Sequence, residues 1–180
     1  LKHSDGNGYA FCNRSVFKCS MNQTVETVFP DIAIPSPTYS VAQAPDKDIY
    51  IGTESNGLYI YSENWKLKKH VPIDGIIATI LPDNNGDIWL GLDETGICLF
   101  NKNKQTFTWL HKDNTNLNNN SIRTFVSYGD SSILVGTFRG LNILNKKELT
   151  ITPANINIAG KGGLSHYSIH SCLLYTSPSP

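Results

Sequence analysis

The sequence has no excess of either charge and no long apolar run. Its 180 residues carry fifteen basic and fifteen acidic side chains, with no block of one sign. Because it lacks a basic stripe interleaved with aromatic residues, a nucleic-acid partner is not expected. No segment approaches the ~20 apolar residues of a membrane-spanning helix. This part of the chain is therefore predicted to make no membrane contact.

Cysteines are few, and the common catalytic motifs are missing. Of the four cysteines, Cys98 lies between apolar residues and is predicted to be a free, packed thiol. Cys12 and Cys19 are expected to face each other across a hairpin, and their spacing leaves a disulfide bridge and two free thiols both open. No nucleophile elbow, cysteine–histidine pairing or phosphate-binding loop occurs. The sequence therefore predicts no catalytic residue and no cofactor.

Two polar groups have the spacing of metal ligands but are interpreted otherwise. His166 and His170 have no carboxylate or cysteine at complementary spacing, so a surface-loop role is predicted for them. Asp83, Asn85 and Asp87 resemble the start of a calcium loop, but the glycine at the sixth position and the distal glutamate are missing. A hairpin turn is predicted there, and no metal site is expected.

An apolar strand pattern occurs three times. In each copy a first apolar run has a glycine at its fifth position, and a few residues later a second glycine begins a second apolar run. The first runs are Asp48–Thr53, Asp87–Leu92 and Ser132–Thr137, and the second are Gly57–Tyr61, Gly96–Phe100 and Gly140–Leu144. The first glycines recur at intervals of 39 and 45 residues. A period near forty with several short strands per unit is typical of a β-propeller.

Each copy is predicted to hold four strands, and no amphipathic helix of useful length occurs. In the middle copy the fourth strand, Gln105–Leu110, alternates polar and apolar residues as a half-exposed outer strand does. We therefore predict an all-β, partial β-propeller with about three complete four-stranded blades and partial blades at each end. Since propellers contain four to eight blades, the chain is expected to be a piece of a larger protein.

The predicted boundaries follow the repeats. They comprise a partial blade at 1–29, a proline-rich linker at 30–37, blades at 38–72, 73–111 and 117–153, and the start of a further blade at 160–171. Residues 172–180 are interpreted as read-through of a transposon-end sequencing adapter, because a nucleotide string that encodes them matches one. The alternative is a natural Ser/Pro-rich linker. The predicted fold does not include residues 172–180.

These residues carry a family resemblance. An Asp/Asn/Gly turn, a strand such as Asp87–Leu92, a Gly-Leu pair as at Gly57-Leu58 and a spacer of the type Leu-Ser-x-x-Ser-Ile resemble the two-component regulator propeller repeat. The resemblance covers residues 5–171 and is strongest between 49 and 145. The sequence departs from the pattern at Leu92, where threonine is usual, and at Ser132, where Asp or Asn is usual.

The resemblance implies a function that the residues alone do not. Such repeats build the periplasmic sensor region of hybrid two-component histidine kinases, especially in gut Bacteroidetes. The chain would then be a non-catalytic, glycan-responsive sensor segment, with the remaining blades of its parent as partners and a homodimer of the parent as a further possibility. The alternatives are a propeller enzyme of the lyase or quinone-dependent dehydrogenase type, and a protein-interaction propeller without a kinase.

The loops between the second and third strands differ among the copies, and function is sought in what differs. In a propeller these loops share a face with the connections between blades, where ligands are usually bound. Carboxylates, an arginine and an aromatic ring suit sugar hydroxyls or an acidic sugar. The predicted ligand-binding residues are therefore Glu54, Asp93, Glu94, Phe138 and Arg139, although solvated turn residues are the plainer interpretation.

Overall fold

The computed structural model describes residues 1, 3, 5–20, 22, 24–28, 33–154 and 169, and within them the chain forms fifteen strands and no helix. The strands are β1 (Gly8–Cys12), β2 (Ser15–Cys19), β3 (Val25–Val28), β4 (Thr38–Gln43), β5 (Ile49–Thr53), β6 (Leu58–Tyr61), β7 (Leu67–Val71), β8 (Ile77–Pro82), β9 (Asp87–Leu92), β10 (Gly96–Asn101), β11 (Thr106–Leu110), β12 (Ile122–Tyr128), β13 (Ser132–Thr137), β14 (Gly140–Asn145) and β15 (Ile151–Pro153).

Consecutive strands pair with one another in four sheets. One sheet has three strands in the order β1-β2-β3, and three sheets have four strands each: β4 to β7, β8 to β11 and β12 to β15. The registers recorded for the first, second and fourth sheets are antiparallel. This is the four-stranded meander of a propeller blade, and the predicted fold class, an all-β partial propeller, is confirmed. The chain divides into two compact units, Leu1–Leu90 with Leu99–Phe107, and Gly91–Cys98 with Thr108–Pro180.

The second strand of a repeat is buried on both faces, which explains its continuous apolar run. Every residue of β5 is buried, and so are the five residues of β9 that follow Asp87. Tyr50 and Trp89, at equivalent positions, are among the largest fully enclosed side chains. Each such side chain contributes about 1.5–3 kcal/mol by leaving water. These aromatic residues therefore form part of the core.

The repeated glycine provides room for an isoleucine of the next repeat. A Cβ added to Gly52 would lie 2.6 Å from Cγ2 of Ile77, the first residue of β8. A Cβ added to Gly136 would lie 2.8 Å from Cγ2 of Ile169. Both distances are shorter than any normal carbon–carbon contact, so only glycine allows this approach. At these two positions the glycine therefore allows the close approach of a residue from the following repeat.

The threonine after that glycine closes the turn to the third strand. The Thr53 hydroxyl donates to the carbonyl of Gly57 at 2.8 Å and accepts from the Asn56 N–H at 3.0 Å. Thr137 makes the corresponding bonds, donating to the carbonyl of Gly140 at 2.9 Å and accepting from the N–H of Arg139 at 3.1 Å. Leu92, which stands at this position in the third sheet, has no hydroxyl with which to make such bonds.

The substitution Thr53→Val is expected to lower the free energy of unfolding by about 1–3 kcal/mol. Valine keeps the shape of the threonine side chain, but the Gly57 carbonyl and the Asn56 N–H lose their hydrogen bonds to the hydroxyl. Urea denaturation monitored by tryptophan fluorescence measures the change. Thr106→Val, at an exposed position of β11, is the control and should change stability by less than about 0.5 kcal/mol. Equal effects of the two substitutions would contradict a specific role for the Thr53 hydroxyl.

The first position of the repeat, an aspartate, organises charge and turn residues. Asp48 is buried with 4% of its surface exposed. Its two carboxylate oxygens accept from Lys68 Nζ at 2.7 and 2.8 Å, and one also accepts from Lys102 Nζ at 2.7 Å. Lys102 donates further to Asp46 at 2.6 Å. The equivalent Asp87 accepts from the side-chain amide of Asn101 at 2.6 Å.

The expectation that Cys12 and Cys19 face each other is wrong. The β1–β2 turn contains only Asn13 and Arg14, so the register pairs Cys12 with Ser15 and Cys19 with Gly8. The two thiols therefore lie at opposite ends of the hairpin, and both are free. Cys98 is a buried free thiol, as predicted, and burial raises its pKa to about 12.

Several predictions fall on parts of the chain outside the described residues. They concern residues 29–32 at the end of the first partial blade and the start of the proline-rich linker, His166 and His170, the adapter-like residues 172–180, and all of the further blade at 160–171 except Ile169. The backbone N–H of Ile169 donates to the carbonyl of Thr137 at 2.9 Å.

Candidate functional site

In the first unit the predicted residue Glu54 lies in the turn between β5 and β6. It is exposed, and its backbone N–H donates to the carbonyl of Pro37 at 2.9 Å. The hydroxyls of the neighbouring Ser55 and of Ser36 are 3.2 Å apart. These contacts attach the turn to the segment that leads into β4. The sequence predicted this arrangement, in which the loop between the second and third strands lies near the connection between two repeats.

The second unit brings two of the variable turns to one serine. Phe138, after β13, donates its backbone N–H to the carbonyl of Ser121 at 3.0 Å. Glu94, between β9 and β10, has its backbone N–H 3.3 Å from the hydroxyl of the same serine. Ser121 itself ends the connection that leads into β12. Residues far apart in the sequence therefore form one surface around Ser121.

Arg123, on β12, links the predicted Asp93 and Phe138. Its Nη1 donates to the Asp93 carboxylate at 3.3 Å. The centre of its guanidinium lies 5.7 Å from the centroid of the Phe138 ring, the geometry of a cation–π contact. The Nε atom of Arg123 is buried and makes no hydrogen bond within the described part of the chain. Sequence reasoning missed this arginine, because nothing in a strand-interior position indicates which turns its side chain reaches.

A shallow cleft adjoins this group. It has a volume of about 200 Å³ and is lined by Glu94, Lys112, Asn119, Asn120 and Ser121. Glu94 adopts a φ of 63°, a left-handed conformation that is uncommon for a residue other than glycine. The cleft therefore offers a carboxylate, an ammonium group and two amides beside the Arg123–Asp93 pair, all of them groups that bind polar ligands.

Arg139 lies in the same turn as Phe138, and the hydrogen bonds recorded for it within the described residues are made by its backbone. Its carbonyl accepts from the side-chain amide of Asn118 at 3.0 Å, and the oxygen of that amide accepts from Asn142 at 2.8 Å. Asn142 is fully buried. The asparagine pair thus fixes the backbone of the turn while the Arg139 side chain is exposed.

The structure therefore places Asp93, Glu94, Phe138 and Arg139 on one unit and Glu54 on the other. It brings together Asp93 and Phe138 through Arg123, and Glu94 and Phe138 through Ser121. We describe the group Asp93, Glu94, Arg123, Phe138 and Arg139 as the loop cluster. Its ability to bind a ligand remains a prediction.

The segment that resembles the start of a calcium loop forms a turn in the structure. Asp83 to Asp87 form the predicted hairpin turn, in which the Asp83 N–H donates to the carbonyl of Asp87 at 2.8 Å and Gly86 adopts a φ of 88°. Among the described residues, no group of three or more His, Cys, Asp or Glu side chains is arranged to hold a metal ion. The described part of the chain also contains no helix long and apolar enough to cross a membrane.

Comparison with known proteins identifies the fold. No family model matches the sequence, and no curated protein matches it. Among solved structures, the chain is similar to the extracellular domain of BT4673 from B. thetaiotaomicron, described in one structure as part of a hybrid two component system and in another as part of a one component system, with a TM-score of 0.73 at 18% identity over 91% of this chain in the first. The extracellular domain of BT3049 from the same organism, described as part of a hybrid two component system, gives a TM-score of 0.62 at 13% identity over 77% of this chain.

An enzyme is also among the similar structures. A catalytically inactive variant of virginiamycin B lyase from Staphylococcus aureus, in a structure with quinupristin, gives a TM-score of 0.66 at 14% identity and covers 88% of this chain and 55% of the lyase. The chain spans only 22% of the length of each of the two Bacteroides extracellular domains. At these identities the similarity concerns the fold. The described part of the chain has the fold of a β-propeller segment.

Proposed function

We propose that the chain is a non-catalytic, ligand-sensing segment of the propeller region of a hybrid two-component signal-transduction sensor. The observation that carries the proposal is the structural similarity to the extracellular domain of BT4673, which extends over 91% of this chain. The proposed location is the periplasm. The proposed partners are the remaining blades of the parent protein, with a homodimer of the parent as the signalling form and a histidine kinase as its catalytic part.

The loop cluster is the proposed ligand-binding surface, and the proposed ligand is a glycan that carries carboxylate groups. Two arginines, Arg123 and Arg139, supply planar donors that suit a carboxylate. The half-exposed ring of Phe138 offers an apolar surface to the face of a sugar ring, and Asp93 and Glu94 accept hydrogen bonds from hydroxyls. Binding would favour one arrangement of the propeller over another and so bias the equilibrium that the kinase reads.

The substitution Arg123→Gln is expected to weaken binding of an acidic oligosaccharide about tenfold or more, because a charge-assisted hydrogen bond contributes roughly 1.5–3 kcal/mol. An array of acidic and neutral glycans identifies the ligand, and isothermal titration calorimetry measures the change. Arg139→Gln, in an exposed turn, should weaken binding in the same direction. Arg14→Gln, in the exposed β1–β2 turn, is the matched control and should leave binding unchanged. No binding across acidic glycans, or equal binding by all variants, would refute the loop-cluster assignment.

The signalling assignment has a separate test in the parent gene. Recovery of the complete gene should reveal a membrane-spanning segment followed by a histidine kinase with its phosphoacceptor histidine. A complete gene that encodes neither would overturn the sensor proposal and leave a protein-interaction propeller.

A propeller enzyme of the lyase type is the second candidate, supported by the similarity to virginiamycin B lyase. Its test is incubation of the chain with quinupristin and analysis of the products by mass spectrometry. Turnover by the purified chain would favour this candidate, whereas unchanged quinupristin agrees with a non-catalytic segment.

A further inference from the structure

A second and larger cleft lies in the first unit and shares no residue with the loop cluster. Its volume is about 490 Å³, within the range of small-molecule sites in proteins. It is formed by β1 and by three turns: the turn before β1, the turn between β4 and β5, and the turn between β6 and β7. We call it the turn cleft, and it is lined by His3, Asp5, Tyr9, Lys47, Glu63, Asn64 and Trp65.

Aromatic rings form the inner wall of the turn cleft. The rings of His3 and Tyr9 are 4.9 Å apart, and the Trp65 ring lies 5.3 Å from Tyr9 and 6.3 Å from His3. Trp65 adopts a φ of 62°, a strained conformation for so bulky a residue. Such strain persists only where the surrounding structure enforces it, and it is found more often at functional sites. The negative ring faces of such a wall attract cations.

Asp5 presents a fixed negative charge to the turn cleft. Its carboxylate accepts from the Asn7 N–H at 2.9 Å and from the Tyr9 hydroxyl at 2.9 Å, and His3 Nδ1 lies 3.0 Å away. Burial raises the pKa of Asp5, but these hydrogen bonds lower it by more, so the pKa lies well below its usual range. The group therefore remains ionised at any physiological pH, and its oxygens cannot rotate away.

His3 provides an unused polar atom in the same wall. Its side chain is only 4% exposed, and Nε2 makes no hydrogen bond within the described part of the chain. Nδ1 lies 3.0 Å from the Asp5 carboxylate, and it accepts from the Asp5 backbone N–H at 3.2 Å. Leaving a polar atom such as Nε2 buried and unpaired is costly. A ligand that forms a hydrogen bond with Nε2 would relieve that cost.

The charges of the turn cleft are unequal. Two carboxylates, Asp5 and Glu63, are opposed by one ammonium group, and Lys47 lies 3.2 Å from Glu63 at the exposed edge. The negative charge of the two carboxylates therefore exceeds the positive charge of Lys47. The cleft is therefore suited to a cation that donates hydrogen bonds.

From this combination of acceptors, ring faces and net negative charge, we infer that the turn cleft binds a small organic ammonium ligand. The ammonium group would donate to the carboxylates, displacing Lys47 from Glu63, and would lie beside the small exposed part of the Tyr9 or Trp65 ring, since these side chains are 7% and 8% exposed. This inference does not depend on the proposed glycan site, because the two groups share no residue.

The test compares glucosamine with glucose on the full 180-residue chain by isothermal titration calorimetry at about pH 7, where an amine with a pKa near 8 is mostly protonated. The two sugars differ by the ammonium group alone. We expect saturable binding of glucosamine and at least tenfold weaker binding of glucose. Glucose that binds as tightly as glucosamine, or no binding of either, would overturn the inference.

Two substitutions at the edge should act in opposite directions. Glu63→Gln removes an acceptor and leaves Lys47 unpaired, so glucosamine should bind about tenfold more weakly. Lys47→Gln removes the competing ammonium group, so glucosamine should bind several-fold more tightly. A purely structural role of the ion pair would weaken binding in both variants, which is the contrary result. Glu148→Gln, in the β14–β15 turn, is the matched control, and Arg123→Gln should leave this binding unchanged even if it abolishes that of a glycan.

Discussion

Replacing Gly57 with alanine is expected to lower the free energy of unfolding by about 3–5 kcal/mol, a large part of the 5–15 kcal/mol that stabilises a typical domain. Gly57 has a φ of 73°, and an added Cβ would meet the carbonyl oxygen of Val71 and lie 2.5 Å from the backbone nitrogen of Ile73. Both are backbone atoms of a paired strand and its continuation, so neither can rotate aside. Urea denaturation followed by tryptophan fluorescence measures the loss.

The control separates backbone conformation from crowding. Gly129 also has a positive φ, 63°, but an added Cβ would meet nothing within 4 Å. Gly129→Ala should therefore cost only the left-handed conformation, about 1–2 kcal/mol. If the two substitutions were equally costly, the close packing described at Gly57 would be wrong.

Asp48→Asn is expected to lower the free energy of unfolding by about 2–3 kcal/mol, because it removes a buried charge shared by two lysines. The loss should be smaller than the roughly 3–5 kcal/mol that is typical of breaking a fully buried ion pair. The reason is that Lys68 is half exposed and that Lys102 still forms an ion pair with Asp46. Burial lowers the pKa of Lys102, but its hydrogen bonds to Asp46 and Asp48 raise it by more. Lys102 therefore stays charged in the variant, with one carboxylate fewer to balance it.

A double-mutant cycle provides the measurement. Asp48→Asn combined with Lys102→Gln should cost less than the sum of the two single substitutions. Glu63→Gln breaks the Lys47–Glu63 pair, which is exposed on both sides, and should change stability by less than about 1 kcal/mol. Additive effects of Asp48 and Lys102 would contradict the shared charge cluster.

The repeat made the strands predictable because its signal is local. The apolar runs with their glycines predicted β5, β9 and β13, since continuous burial requires apolar residues at successive positions and close approach requires glycine. The departure noted at Leu92 also has a structural counterpart, because the hydroxyls of Thr53 and Thr137 close the turns that Leu92 cannot close in this way. Such features depend on neighbours in the chain or on a fixed period.

Contacts across repeats were not predictable in the same way. Arg123 reaches Asp93 thirty residues earlier, and Lys102 reaches Asp48 fifty-four residues earlier. Both depend on side-chain direction and not on spacing. The error at Cys12 and Cys19 has a related cause, since a two-residue turn sets the register and moves the thiols to opposite ends. The turn cleft was missed because its aromatic residues are far apart in the sequence, with His3 before β1, Tyr9 on β1 and Trp65 in the β6–β7 turn.

The fit of Ile77 against Gly52, and of Ile169 against Gly136, has a consequence for how such repeats can be exchanged. In these two sheets the unit of packing differs from the unit of strand pairing, because the isoleucine that packs against the glycine comes after the last strand of the sheet. A module excised with its four strands alone would leave the glycine recess empty. A recombination experiment should therefore join segments after that isoleucine, so that each transplanted sheet carries the residue that fills its own recess.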